Sequence, residues 1–314
     1  MKKLENKEEI IKFISNSPQG TIFTTPDWLE AVAPGRWKYL TLQSKDSLKI
    51  CMPIILSNKM GFSFCNMPPF TQSLGILFPP QEGKYAEILT KNINYISELI
   101  SKIPKSSYFR QRLHPSLTNW LPFHWEGYNQ STRYTYIIEN LENREEIWKA
   151  FRSNIRQEIR KATKSIRVEQ DDDFDSLKHC IKSTYARQKK KNFDFKTLNR
   201  IFKTCKKLKC GKIFIAKNKE NEVCGAIFIV WDKNSAYYIA GGSPKEVRTT
   251  GAMPLLLWKA IQFSSDVTRK FNFEGSMIKS IEKFFRAFGG RQVPYLEITK
   301  TNSILIKLNQ ILFK

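Results

Sequence analysis

The chain has 314 residues, is 41% hydrophobic and 13% aromatic, and so is long and apolar enough to fold into one large or two ordinary domains rather than stay disordered. Its 52 Lys and Arg outnumber its 29 Asp and Glu, a formal charge of +23, which points to anionic company: nucleic acid, a phosphorylated metabolite or an anionic membrane face. No run approaches the ~20 apolar residues of a membrane span, and the charged start MKKLENKEEIIKF reads as a helix rather than a signal peptide. The six cysteines form no C-x-x-C pair and the three histidines share no metal-ligand spacing. Reduced thiols, a cytoplasmic location and no metal are therefore expected.

In chain order, the first half opens with a helix. FTTPDWLEAV follows, with Thr25 as N-cap and Pro26 at the first helical position. Extended stretches are predicted at 37–43, 48–56, 60–66 and 73–78, a helix at 83–103, and strands at 108–113 and 132–138 around a Pro-rich stretch. The second half begins with a helix over 143–165. A strand at 166–170, helices at 173–189 and 196–208, and strands at 212–218, 222–231 and 235–241 come next. A helix (251–264), a strand (269–273), a helix (279–288), a strand (293–299) and a closing helix (302–312) complete it. Each half reads as a helix-flanked antiparallel meander followed by helix–strand alternation. The expected fold class is mixed α/β (α+β), with domains at 1–135 and 136–314.

Four segments carry candidate chemistry. In residues 145–168, Ile147, Phe151, Ile155, Ile159, Ala162 and Ile166 form an apolar stripe at helical spacing. Lys149, Arg152, Arg156, Arg160, Lys164 and Arg167 repeat beside it as a cationic ridge, either a solvated face or a phosphate contact. In YARQKKKNFDFK (185–196), Arg187, Lys190 and neighbouring lysines interleave with Tyr185, Phe193 and Phe195. That pattern suits phosphate contact with base stacking, or a helix C-terminus complemented by cations.

The third segment, 236–261, ends a strand at Gly241-Gly242-Ser243 and starts a helix near Arg248 and Gly251. Backbone N–H groups there can hold a phosphate, or the segment is an ordinary strand–helix turn. The fourth, FNFEGSMIKSIEKFFRAFGG, ends an apolar strand in Glu274. A helix then turns Ile281, Phe284, Phe285 and Phe288 to the core and Lys279, Lys283 and Arg286 to another face. Glu274 reads as a base, an amine anchor or an ion-pair partner of Arg286.

YYIAGGS, the LLLW helix, FNFEGSMIKSIEKFFRAFGG and PYLEITK, in that order, resemble the FemAB-like (FemABX-related) branch of the GNAT acyltransferase superfamily. IRQEIRKATKSIRV and, more weakly, FTTPDWLEAV are similar as well. The resemblance implies two tandem GNAT-like domains, each a mixed, largely antiparallel sheet flanked by helices. It implies transfer of an acyl or aminoacyl group to an amine, with aminoacyl-tRNA or acyl-coenzyme A as co-substrate and no tightly bound cofactor. It also places Arg286 as a cation stabilising the acyl carbonyl, and Arg187 with nearby lysines at precursor phosphates. Arg248-x-x-Gly251 approaches the GCN5-related loop that grips the coenzyme A pyrophosphate, with Met253 where that loop has a small residue. Asn272 stands where many relatives carry Asp.

The expected mechanism is direct attack of an amine in a ternary complex. The proton goes to Glu274, Tyr238 or the substrate, and N–H groups near Gly241 and Gly242 help Arg286 receive the oxyanion. The leading reading is tRNA-dependent aminoacyl transfer to a peptidoglycan or other cell-envelope precursor, with peripheral contact at the inner membrane face. The alternatives are a coenzyme A-dependent N-acetyltransferase for a small amine or sugar, and a non-catalytic basic module binding RNA or anionic lipid.

Overall fold

A computed structural model describes residues 7–44, 47–189, 192–245, 247, 251–275 and 277–312. The chain divides into two compact units: Met1–Arg133 with Pro294–Lys314, and Tyr134–Val293. The sequence placed the turnover near 135, and the return of 294–314 to the first unit is a difference from the expected 136–314 domain.

In the first unit, α1 (Lys7–Asn16) and α2 (Pro26–Val32) precede the strands. Thr25 caps α2 by accepting from the Trp28 N–H, as its position before Pro26 predicts. The strands β1 (Trp37–Ser44), β2 (Ser47–Lys59) and β3 (Phe62–Cys65) form an antiparallel meander. The predicted strand at 73–78 is reduced to a single bridge between Leu77 and Cys51. Then α3 (Tyr85–Ser101) crosses over, and β4 (Tyr108–Arg112) lies parallel to β3. A short helix, α4 (Leu121–Trp125), occupies the Pro-rich stretch, where the sequence showed no helix.

The second unit begins within β5 (Asn129–Ile138). The helix predicted at 143–165 is two helices, α5 (Arg144–Ala150) and α6 (Ser153–Ala162). Phe151 and Arg152 between them are extended, at ψ 143 and 147. No Pro or Gly causes this break. Instead the Arg152 N–H donates to the Ala287 carbonyl, and the Phe151 ring packs on Phe288 and Trp258 at 5.1 and 5.3 Å. All six residues of the predicted apolar stripe are nevertheless buried. The cationic ridge is not continuous, because Arg152 sits in the break and Arg167 opens β6 (Arg167–Asp171), paired with Glu169.

α7 (Phe174–Arg187) and α8 (Phe195–Lys207) follow, then the antiparallel meander β7 (Gly211–Lys217), β8 (Val223–Trp231) and β9 (Ser235–Gly242). α9 (Ala252–Ser264) crosses over to β10 (Lys270–Asn272), which is parallel to β9 and antiparallel to β5. α10 (Lys279–Arg286), β11 (Arg291–Thr301) and α11 (Ile304–Leu312) close the chain.

Both units therefore share one plan. An antiparallel meander leads through a crossover helix to a parallel strand, and a further antiparallel strand flanks that one. The flanking strand is exchanged in sequence. β5, which follows β4, flanks β10, whereas β11, which follows β10, pairs with β4 from Glu297↔Arg112 to Thr301↔Tyr108. Ile298 of β11 is fully buried in the first unit's core, which explains why the C-terminal residues belong there.

Candidate active site

The parallel pair of the second unit ends early. Its last register pair is Tyr237 with Asn272. β9 runs on to Gly242, so past Tyr237 its β10-facing edge has lost its strand. A bulge sharpens the divergence: Ile229 faces Tyr238 while Phe228 faces Ala240, leaving Ile239 as an extra residue. The result is a notch in the strand pairing at the carboxyl ends of two parallel strands, a common place for ligands in sheets of this kind.

One wall is built around Asn272. Its Oδ1 accepts from the buried Thr135 hydroxyl at 2.6 Å and from the Glu274 N–H at 2.9 Å. Glu274 itself has φ +61, and Gly275 follows at φ +63. A Cβ at Gly275 would stand 2.2 Å from the Tyr134 carbonyl oxygen. The turn that presents Glu274 is thus pressed onto β5, and only glycine fits its second position. Asn272 serves as a hydrogen-bond acceptor for this turn, a role open to Asp as well.

The other wall is β9. The Tyr238 ring contacts Phe285 edge-on at 5.6 Å. Its hydroxyl lies where a Cβ on Gly241 would come within 2.6 Å. Burial, with Tyr185 adding to it, holds the phenol well above its ordinary value. Tyr238 therefore stays protonated and can donate a hydrogen bond. It is a poor base, against one of the roles expected of it. Gly242 packs on the Cys180 carbonyl, 2.4 Å from a would-be Cβ. The Cys180 thiol is pushed up to about 12, mainly by burial, so it supplies no thiolate nucleophile near neutral pH.

Arg187, placed by the sequence reading at precursor phosphates, is exposed and bonded within the chain. Its guanidinium donates to the Ser243 carbonyl at 2.8 Å, to the Ser243 hydroxyl at 3.0 Å and to the Thr184 hydroxyl at 3.1 Å. Thr184 in turn accepts from the Ser243 N–H at 3.0 Å. Together they clamp the end of β9 to the last turn of α7. Arg286 is also engaged, and with Glu282 rather than Glu274. Its Nε donates to Glu282 Oε1 at 2.8 Å, and the same oxygen accepts from the Tyr136 hydroxyl at 2.5 Å. Gln292 donates to that hydroxyl at 2.9 Å. The Tyr136 hydrogen bond, with help from Arg286, holds Glu282 below the usual carboxylate range. The Arg286 side chain remains 55% exposed, so its outer nitrogens can meet a developing oxyanion.

The remaining candidates are dispersed. Lys283 is exposed on α10, Arg152 is exposed in the α5–α6 break, and Arg156 is half-buried on α6. Gly251 caps α9 at φ +87, and a Cβ there would stand 2.6 Å from the Glu158 carbonyl oxygen of α6. Lys190 and Arg248 lie outside the described residues. Sequence reasoning missed Thr135, Thr184, Tyr136 and Glu282. Of these only Glu282 left a local signal, four residues before Arg286 on one helix.

Residues 149–273 match the family model described as an acetyltransferase (GNAT) domain. Over the whole chain the fold matches that of FemX, 14% identical, with 98% of each chain covered and a TM-score of 0.72. L-PGS from Bacillus licheniformis is 13% identical at TM-score 0.55, covering 98% of this chain and 96% of its own. A tandem GNAT protein from the clavulanic acid biosynthesis pathway is 9% identical at TM-score 0.54, covering 94% of each chain. No curated protein sequence matches the chain.

Residues 149–273 thus match an acyltransferase domain of the GNAT kind, and the chain as a whole has a tandem GNAT-like fold. Its architecture is that of FemX, as the FemABX-related resemblance implied. The match to an acetyltransferase (GNAT) domain favours acyl transfer over the non-catalytic reading.

Proposed function

We propose that the chain moves an aminoacyl group from aminoacyl-tRNA to the amine of a cell-envelope precursor of the peptidoglycan kind. The observation that carries this choice of donor is the start of α9. A pyrophosphate held there needs backbone N–H donors. Pro254, in the first turn, has none. The backbone of Gly251 is packed against the Glu158 carbonyl, which turns an electronegative oxygen toward the helix start. The +23 charge favours a polyanionic donor, and the FemABX-related resemblance supports the same reading.

In this mechanism a neutral acceptor amine attacks the ester carbonyl directly in the notch. Glu274 or the substrate receives the amine proton, Tyr238 and Arg286 donate to the oxyanion, and collapse of the tetrahedral adduct breaks the ester bond and releases the terminal ribose hydroxyl of the tRNA, which takes up that proton. A cytoplasmic location with contact at the inner membrane face belongs to the same proposal. Among the described residues no helix is long and apolar enough to cross a membrane.

Acetyl-coenzyme A transfer to a small amine or sugar is the second reading, favoured by the acetyltransferase description of the matched domain. The test is a transfer assay with radiolabelled aminoacyl-tRNA and labelled acetyl-coenzyme A, each offered nucleotide-linked muropeptides and a panel of small amines. Label reaching the muropeptide from tRNA alone supports the proposal. Label reaching a small amine from coenzyme A alone replaces it with the second reading.

A further inference from the structure

The first unit repeats the parallel pair, and the residues at its open end are of another kind. The last pair of β3 and β4 is Cys65 with Phe109. Asn66 and Arg110 stand one residue beyond it, and β4 continues to Arg112 after β3 has ended. Arg110 and Arg112 alternate with the buried Phe109 and Gln111, so they occupy the face opposite that pair.

Arg110 Nε donates to the neutral Asn66 Oδ1 at 2.7 Å. Among the described residues, no carboxylate lies within ion-pair distance of it. Arg112 Nε donates to Glu297 Oε2 at 2.7 Å, and Arg133 Nε lies 3.6 Å from the same oxygen. These side chains are 20%, 29% and 11% exposed for Arg112, Arg133 and Glu297. Two guanidinia thus share one carboxylate, and the third, Arg110, lies near enough to feel both in a partly desolvated place, a local excess of two positive charges. That arrangement is costly without an anion. Burial, then Arg112 and to a smaller degree Arg133, depress the basicity of Arg110. Tyr108, in the same group, is kept protonated mainly by burial and is a neutral O–H donor.

We propose that this cluster binds a compact, doubly charged phosphoryl group, held by Arg110 and Arg133 with Glu297 setting the strength. A guanidinium fork matches phosphate oxygens two at a time, and a dianion balances the local charge. The partial burial fits a terminal phosphate or pyrophosphate, whereas an RNA strand follows exposed cations and stacking rings. The inference does not depend on the identity of the acyl donor.

The test is calorimetric titration of pyrophosphate into the full chain at low ionic strength. Saturable binding is expected for the wild type. Arg110→Gln and Arg133→Gln should each weaken it at least tenfold, and Glu297→Gln should tighten it severalfold. Lys203→Gln, an exposed cation on α8, should leave it within twofold. Absent saturable binding, or equal losses in all four variants, overturns the proposal. So does binding of a short RNA that depends on Arg110 when pyrophosphate does not bind. If Arg110→Gln fails to give a native near-ultraviolet spectrum, Arg133→Gln decides the matter.

Discussion

The two parallel pairs end alike and are finished with opposite chemistry. In the Tyr134–Val293 unit, the first residues beyond the last pair are Tyr238 and Phe273. In the other unit they are Asn66 and Arg110. The first notch is lined by rings and a protonated phenol, and its arginines are already held by the chain: Arg187 by Ser243, Arg286 by Glu282. The second is lined by guanidinia that outnumber their carboxylate. The repeated plan thus ends in rings and a phenol in one unit and in guanidinium groups in the other. Formal charge alone did not separate them; local pairing does.

The largest effect that would break this contrast is at the Glu274 turn. Gly275→Ala brings a Cβ onto the Tyr134 carbonyl at positive φ. It should cost roughly 2–4 kcal/mol in urea unfolding and abolish transfer. A variant of wild-type stability would show that the turn is not pinned. Next, Arg286→Ala should lower kcat/KM about a hundredfold while leaving the unfolding midpoint nearly unchanged, because its ion pair is exposed. Full retained activity would remove Arg286 from the reaction.

Thr135→Val deletes one buried hydrogen bond to Asn272 and should cost about 1 kcal/mol, with a matching fall in kcat and little change in KM. Tyr238→Phe should lower kcat roughly tenfold. Because the wild-type phenol is raised far above its ordinary value, the pH–rate profiles of both proteins should keep the same basic limb up to pH 10. A limb that disappears in the Phe variant would mean that Tyr238 titrates in the reaction.

The smallest effect is at Glu282. Its carboxyl is lowered in the folded state, so its contribution is present above the ordinary carboxylate value of about 4.5. It is lost as pH falls through the lowered folded value. Glu282→Gln should therefore flatten part of the acid limb of the stability curve and leave the neutral plateau almost unmoved.

Much of the fold was legible in the sequence, because helical and strand periodicities are local. Thr25-Pro26 starts α2, and the stripe from Ile147 to Ile166 is buried as its spacing predicts. What was not legible depends on distant partners. The break at Phe151–Arg152 is imposed by Ala287 and Phe288, and the exchange of β5 and β11 follows from pairing across the chain. Around the end of the parallel pair, the sequence offered Tyr238, Glu274, Arg286 and the Gly241–Ser243 strand end as candidates. It did not show that Ser243 occupies Arg187, 56 residues away, or that Thr135 reaches Asn272 over 137 residues. Side-chain partnerships of that separation leave no trace in spacing.

The donor is the central claim, and thermal stabilisation of the full chain by two ligands tests it most directly. Saturating aminoacyl-tRNA should raise Tm, with the gain shrinking steeply as salt is added, and acetyl-coenzyme A should leave Tm unchanged. Stabilisation by acetyl-coenzyme A with none by aminoacyl-tRNA would contradict the account.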